Sequence, residues 1–379
     1  MARELGPGGS ERQLTEIAKR LDRNRFSPVV GYFRGGMRLD ELMEAGVPTI
    51  HVDILSFKRP DVLSKTLQFR RFLQDQHVGI VHTFDYPLTC FAVPAARLFG
   101  VPVVLSSQRG HRDLIPPSYR QLIRLTDLLV DGIVVNCRAV QEDLISEEDI
   151  ARRKIRLCYN GIDCDRFDFA MTSAMRNKFA PGSLTVGCVS VMRPEKNLHL
   201  LLSAVASLAP SLPELQVVLV GSGPEESRLR ERARQLNMGD RCFFQRSEKD
   251  VAPWLKSIDI FVLPSSTEAL SNSLMEAMAS GCAVVASRVG GNPELVRDGE
   301  TGVLFTSGDE RDLADKIRLL ARNGTLRSYL GHNAKKLIRQ YFRLDQSVDR
   351  MAAIYEEFVS AKPDQACKLA SGGTFLPNS

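Results

Sequence analysis

An α/β protein of two doubly wound parallel sheets is the fold class that this sequence predicts. Short apolar runs alternate with helical patterns along nearly the whole chain, the signature of strand-helix-strand repeats. At 379 residues the chain has room for two domains of ordinary size. Residues 263–305 compress the same logic into one unit, in which a buried strand, a helix, a second strand and two glycine turns follow one another without a break.

Six strands are predicted in the first half, at 28–32, 48–52, 79–83, 102–106, 132–136 and 155–158, with helices near 10–21, 38–45, 61–76, 88–99, 117–129 and 137–144 between them. The second half repeats the alternation with strands at 184–189, 215–220, 242–244, 260–263, 283–286 and 302–305. Its helices lie near 198–209, 224–236, 251–256, 271–279, 292–296 and 309–323, and two more follow at 326–341 and 345–359 with no strand after them. The turn-rich stretch 160–181 separates the halves, so the first domain is placed at 1–165 and the second at 166–343. The tail 362–379, rich in Ser, Gly, Pro and Lys, has little to bury and is expected to be disordered.

The opening of the chain departs from the scheme. A doubly wound domain begins on a central, aliphatic strand, yet only Met1–Leu5 precede Gly6-Pro7-Gly8-Gly9, and Arg3 and Glu4 suit a doubly buried strand poorly. The first strand is therefore expected to be largely absent, and the natural protein to begin upstream.

Composition narrows the function. Hydrophobic residues at 44% and charged residues at 25% are ordinary for a globular protein. A net charge of +5 is too diffuse to argue for nucleic acid and is compatible with touching an anionic membrane. No apolar run reaches the roughly 20 residues that span a bilayer, and the N-terminus lacks a signal-peptide core, so a cytoplasmic protein is expected. Eight scattered cysteines without C-x-x-C or zinc spacing point to reduced core thiols and to no metal site.

In 263–305, Ser265, Ser266 and Thr267 provide turn and cap chemistry, and Leu274, Met275, Ala277, Met278 and Ala279 build a helix that begins near Ser271 and ends at Gly281. Glu268 precedes this helix and Glu276 lies within it. Gly290-Gly291 opens the next loop, so backbone amides point toward a crevice.

The pattern E-x7-E from Glu268 to Glu276, followed by G-G-N-P-E-L-V-x-D-G-x-T-G-V-L-F, resembles the retaining nucleotide-sugar glycosyltransferases of family 4, the group 1 glycosyl transferases. G-P-G-G-S-E-R-Q at 6–13, I-V-H-T at 80–83, Y-N-G-I-D at 159–163, R-P-E-K-N at 193–197 and V-L-V-G-S-G-P at 218–224 extend the resemblance over nearly the whole chain. The resemblance implies the GT-B fold, two Rossmann-like domains facing across a cleft, with the helix at 344–361 crossing back to the first. It also implies transfer of a hexosyl unit from a UDP- or GDP-type sugar, the acceptor hydroxyl attacking on the face the diphosphate leaves. The nucleotide sugar is then a co-substrate, with no cofactor and no metal.

Stabilising a departing diphosphate calls for fixed positive charge and oriented amides. Arg193 and Lys196, in the loop after the strand at 184–189, supply that charge; in isolation they would read as a solvated basic turn. The commoner pattern of the family is G-R-x-x-P-E-K, and here Ser190 and Val191 occupy the Gly and Arg positions, which leaves Arg193 to replace the missing cation. Glu276 is suited to take two hydrogen bonds from ribose hydroxyls, and the resemblance sets Glu268 against the transferred hexose. Without it, Glu268 would be a carboxylate favoured by the helix dipole and Glu276 an exposed charge.

Ser271 and Asn272, with the amides of the first helical turn, are expected to line the sugar and phosphate pocket. Gly8-Gly9, ahead of an amphipathic helix, either lets backbone approach a phosphate or is only a turn. Gly221-Ser222-Gly223 is either a tight strand-to-helix connection or a ligand contact. Arg246 stands where the family has a glycine beside the nucleobase, which leaves the base open. On the acceptor side His82 ends a strand, and Arg109 and His111 with Arg112 occupy the loop after 102–106; a lone histidine has a structural reading as well. Asp163-Cys164-Asp165 has D-x-D spacing and reads as turn and cap chemistry. Arg120 and Arg124, near Arg109 and Arg112, make either a basic patch for anionic lipid at the inner face of the membrane or a solvated helix face.

The reading is thus a retaining hexosyltransferase acting on a glycan or lipid-linked glycan, in polysaccharide biosynthesis. Its rivals are a sugar-phosphate or glucan synthase of the same fold and a nucleotide-sugar binding protein without turnover. A dinucleotide oxidoreductase lacks the G-x-G-x-x-G fingerprint with its acidic partner.

Overall fold

The computed structural model of the chain describes residues 1–54, 62–169, 175, 179, 182–248 and 250–362. The chain divides into two compact units, Met1–Tyr159 with Asp345–Ser379, and Asn160–Leu344. Of the tail at 362–379, only Lys362 lies inside the described residues.

The first unit alternates β1 (Ala2–Glu4), α1 (Gly9–Arg20), β2 (Val30–Arg34), α2 (Met37–Glu44), β3 (Thr49–His51), α3 (Val62–Asp75), β4 (Ile80–Thr83), α4 (Tyr86–Leu98), β5 (Val103–Gln108), α5 (Pro117–Leu129), β6 (Gly132–Val135), α6 (Arg138–Ser146) and β7 (Ile155–Leu157). Its strands form two parallel ladders, β1-β2-β3 and β4-β5-β6-β7. Two backbone bonds join them: the Met1 amino group donates to the His82 carbonyl (2.6 Å) and the Phe84 amide to the Met1 carbonyl (2.9 Å). Strands covered by helices on both faces read as apolar runs, and Val103, Val104, Leu105, Ile133, Val134 and Val135 are all buried.

The first strand, expected to be largely absent, is three residues long, and β1 pairs in parallel with β2, with Ala2 opposite Tyr32 and Glu4 opposite Arg34. Arg3 is exposed, Ala2 is buried and Glu4 half-buried, so the strand accommodates its two charges. Leu5, just past the strand, is buried, and Gly36 lets the next turn close on it, since the Leu5 carbonyl would stand 2.4 Å from a β-carbon there.

The second unit carries β8 (Leu184–Val189), α7 (Leu198–Leu208), β9 (Leu215–Val220), α8 (Glu226–Gln235), β10 (Cys242–Gln245), α9 (Ala252–Lys256), β11 (Ile260–Leu263), α10 (Asn272–Ser280), β12 (Ala283–Ser287), α11 (Asn292–Leu295), β13 (Val303–Phe305), α12 (Glu310–Arg322) and α13 (Gly324–Tyr341). Six parallel strands run in the order β10-β9-β8-β11-β12-β13. One side of the sheet builds a core from Val186, Val217, Leu219, Val262 and Val285 with Leu201, Leu202 and Leu208 of α7 and Leu313 and Ile317 of α12.

A last helix, α14 (Leu344–Ser360), belongs almost wholly to the first unit. Met351, Ile354 and Tyr355 are buried, and Phe358 lies on Gly132, where any β-carbon would stand 2.3 Å from its ring. Lys362, just past this helix, is anchored on the first unit: its ammonium pairs with Asp131 and donates to the Pro102 carbonyl at 2.7 Å.

Candidate functional site

In a doubly wound sheet the ligand crevice opens at the carboxyl ends of the strands where the strand order reverses. In the second unit that point lies between β8 and β11, which are direct neighbours with Ile260 opposite Val186. The loops leaving these strands, 190–197 and 264–271, are stitched together. The Ser266 amide and hydroxyl both donate to the Glu195 carbonyl, at 2.9 and 3.3 Å. Pro194–Lys196 forms a single 3-10 turn, and Asn197 leaves it at φ 48, a left-handed conformation that asparagine tolerates.

That turn delivers Lys196 directly to Glu268. Its ammonium pairs with Oε1 of the carboxylate, with the two side chains only 20% and 9% exposed, and the Ser265 hydroxyl donates to the same oxygen at 2.8 Å. A half-dry site of this kind makes a charge pair matter more than it would on an open surface. Arg193 is placed differently. It caps the turn with its backbone, and its side chain is 60% exposed and 3.9 Å from Glu195.

Helix α10 positions the remaining candidates of this unit. Ser271 is its N-cap and accepts from the Leu274 amide, and Gly281 closes it at φ 85, so the helix obeys both its start and its stop signal. Asn272 accepts a 2.8 Å bond from the Asn160 amide group, which also donates to the Leu270 carbonyl at 3.2 Å. Asn160 of the Y-N-G-I-D segment thus orients the first turn. Glu276 is buried to 3% exposure among Leu274, Met275, Ala277 and Met278, so it is no solvated helix charge.

The glycines at 221 and 223 have a packing reason. Gly221 sits at φ 146, a β-carbon on it would meet the Ser190 carbonyl oxygen at 1.9 Å, and one on Gly223 would meet that of Met192 at 2.3 Å. They bring the β9 loop against the β8 loop that carries Arg193 and Lys196. Arg246 is exposed after the edge strand β10, and the next amide, that of Ser247, donates to Ser222 at 3.2 Å.

The other candidates belong to the first unit. Gly8 is the N-cap of α1 and Gly9 its first residue. The Glu11 carboxylate folds back over Gly8, 2.1 Å from where a β-carbon would be. His82 is buried with both ring nitrogens engaged, Nδ1 at 2.9 Å from the Tyr355 hydroxyl and Nε2 at 2.9 Å from that of Ser107. Burial, with the chain's amino group and Arg109 adding to it, holds the imidazole well below its ordinary 6.5. Arg109 lies over the Phe84 ring at 5.4 Å, and burial brings its guanidinium down to about 10 against the opposing pull of Cys158 and Glu11. His111 sits 2.6 Å from Asp143, and Arg112 pairs with Asp127 and Glu148.

Among the described residues no group of three or more His, Cys, Asp or Glu is placed to hold a metal ion, and none of the seven described cysteines is in a disulfide. Residues that the sequence did not single out for the site are Ser265 and Asn160. The signal for Ser265 was its spacing three residues before Glu268, and the Y-N-G-I-D segment contained Asn160.

Two α/β units, each built on parallel strands, are the architecture of the GT-B fold. HepE of Anabaena, solved in complex with UDP and glucose, superposes with a TM-score of 0.83 at 20% identity, over 94% of this chain and 98% of that one. The family models described as Glycosyltransferase Family 4 and Glycosyl transferases group 1 match residues 7–166 and 173–337, and the chain belongs to this family. It is similar to the sulfoquinovosyl transferase SQD2 of Arabidopsis thaliana, 29% identical over an alignment of 304 residues that covers 74% of this chain and 56% of that one. It is also similar to the N-acetyl-α-D-glucosaminyl L-malate synthase of Bacillus anthracis, 27% identical over 293 residues, covering 74% and 75% of the two chains. The chain thus spans little more than half the length of the first relative.

Proposed function

We propose that the chain is a retaining hexosyltransferase that moves a sugar from a nucleoside-diphosphate donor to a glycan or lipid-linked glycan, without a metal. The observation that carries this is the Lys196–Glu268 pair at the switch point of the second unit, with Glu276 buried in the second turn of the helix that follows. Lys196 and Arg193, with the amides opening α10, neutralise the departing diphosphate. Glu276 holds the ribose hydroxyls, and Glu268 orients the hexose. The leaving phosphate oxygen takes the proton of the acceptor hydroxyl, so no protein base is required. A smaller polar acceptor is the second reading, favoured by the similarity to a malate glucosaminyl synthase.

For a lipid-linked acceptor, α5 is the surface to consider. Its arginines are engaged, Arg120 with the Ile115 carbonyl at 2.9 Å and Arg124 with Glu148 at 2.8 Å. Its exposed side instead shows Leu122, Leu125 and Leu128, so membrane contact rests on an apolar flank bordered by arginine. No described helix is long and apolar enough to cross a membrane.

The test is a thermal-shift screen against nucleotide sugars, followed by assay of nucleoside diphosphate release. A cognate donor at about a hundred times its Kd stabilises the folded state by about 2.7 kcal/mol. Turnover is expected to survive EDTA; complete loss, restored by magnesium or manganese, sinks the metal-free reading. No stabilisation by any donor sinks the transferase.

A further inference from the structure

Behind Glu268 lies a row of small polar side chains that the reaction as described does not use. Ser265, the second residue after β11, is fully buried. Its hydroxyl donates to Glu268 Oε1 at 2.8 Å, and its own carbonyl accepts from the Ser287 hydroxyl at 2.6 Å. Ser287 ends β12 and is equally buried, and the Asn292 amide group donates to its carbonyl at 3.0 Å. Buried hydroxyls need a partner, and along this row, from Asn292 of the G-G-N-P-E segment forward to Glu268, the hydroxyls of Ser287 and Ser265 each have one.

Two donors, the Lys196 ammonium and the Ser265 hydroxyl, meet on one carboxylate oxygen. They differ in what a donor molecule does to them. An arriving diphosphate competes for the Lys196 cation, whereas the buried Ser265 hydroxyl has no route to it. We infer that Ser265 is a positioning residue: it keeps the Glu268 carboxylate in its orientation when Lys196 turns to the diphosphate. The row through Ser287 and Asn292 holds the Ser265 backbone in register. This rests on the proposed transferase reading, because the orientation matters only if Glu268 meets the sugar.

Ser265→Ala removes the hydroxyl with little change of volume. The expected result is a fall in kcat of roughly tenfold to a hundredfold, the span for one hydrogen bond to a charged group, with KM moving less than about threefold. Ser265→Cys, a weak donor of similar size, falls between. The discriminating measurement is a cycle with Glu268→Ala. If Ser265 acts through Glu268, its removal in that background costs less than about twofold more, whereas a general packing role gives the same loss in both backgrounds and overturns the inference. The same cycle in urea denaturation, with no substrate present, reads the Ser265–Glu268 coupling alone, and additivity there also overturns it. Absence of turnover by the unmodified protein with every donor sinks the transferase instead, so the two failures fall on separate measurements.

Discussion

Lys196 and His82 stand at comparable places in the two units, each at or just beyond the carboxyl end of a parallel strand, and the fold treats them in opposite ways. In the second unit the polar groups leaving β8 and β11 are turned toward each other at the rim of the sheet, with Lys196 on Glu268 and both still partly exposed. In the first unit the polar groups ending β4 and β5 are turned inward, His82 onto Ser107 and Tyr355. A charge held by one partner at a rim can exchange that partner for a ligand. An imidazole with both nitrogens engaged in the core cannot do so without breaking the packing of α14. Position at a strand end is therefore a weaker guide to function than the partner a side chain already has.

The sharpest way to break this contrast is to remove the rim cation. Lys196→Ala is expected to lower kcat by about 10²- to 10³-fold, the scale for one preorganised donor at a developing charge, with a smaller change in donor affinity. Steady-state kinetics with the donor found by thermal shift checks it. Loss confined to KM would make Lys196 a ground-state anchor.

Next in size is Glu276→Gln. Removing a charged acceptor from a pair of hydroxyls costs on the order of 1.5 to 3 kcal/mol, so donor affinity by titration calorimetry is expected to drop tenfold or more while the melting temperature holds. Unchanged affinity removes Glu276 from the ribose.

These two residues also show how much was legible in advance. The alternation of strands and helices set nearly every element of both sheets, because doubly covered strands must be apolar throughout and their ends carry glycine or cap residues. Glu268 and Glu276 stood out because acids just before and within an apolar helix need a reason. Three things were not legible. The Lys196–Glu268–Ser265 contact joins residues about 70 apart in the chain, and spacing cannot reveal an ion pair formed by neighbouring loops. The fate of His82 depended on Tyr355, 273 residues away on the last helix. Likewise Arg3 and Glu4 argued against a doubly buried strand, and the short β1 with Ala2 buried and Arg3 exposed appears only once β2 is beside it.

A smaller effect is expected on the surface of the first unit. If the leucine flank of α5 seats on lipid, Leu125→Glu with Leu128→Glu should lower the fraction co-sedimenting with anionic phospholipid vesicles roughly tenfold, about the value of one buried leucine. Arg120→Gln with Arg124→Gln should do less, since both arginines are already engaged. The reverse ranking returns the patch to a basic surface.

The smallest effect tests the buried half of the comparison. The folded state holds the His82 imidazole well below 6.5. Above that pH the ring is neutral whether the chain is folded or not, and it contributes no pH dependence. Below it the unfolded chain binds a proton that the folded chain refuses, so unfolding becomes easier as pH falls, by at most about 1.4 kcal/mol per pH unit. His82→Gln offers a polar group of similar reach that does not titrate. Its unfolding free energy in urea should therefore be flatter than that of the unmodified protein between pH 6.5 and 5, while the two run parallel above pH 7. Parallel curves for His82→Gln and the unmodified protein down to pH 5 would mean that the imidazole charges freely in the folded state. His82 would then be as available to a ligand as Lys196, and the contrast between the two units would be lost.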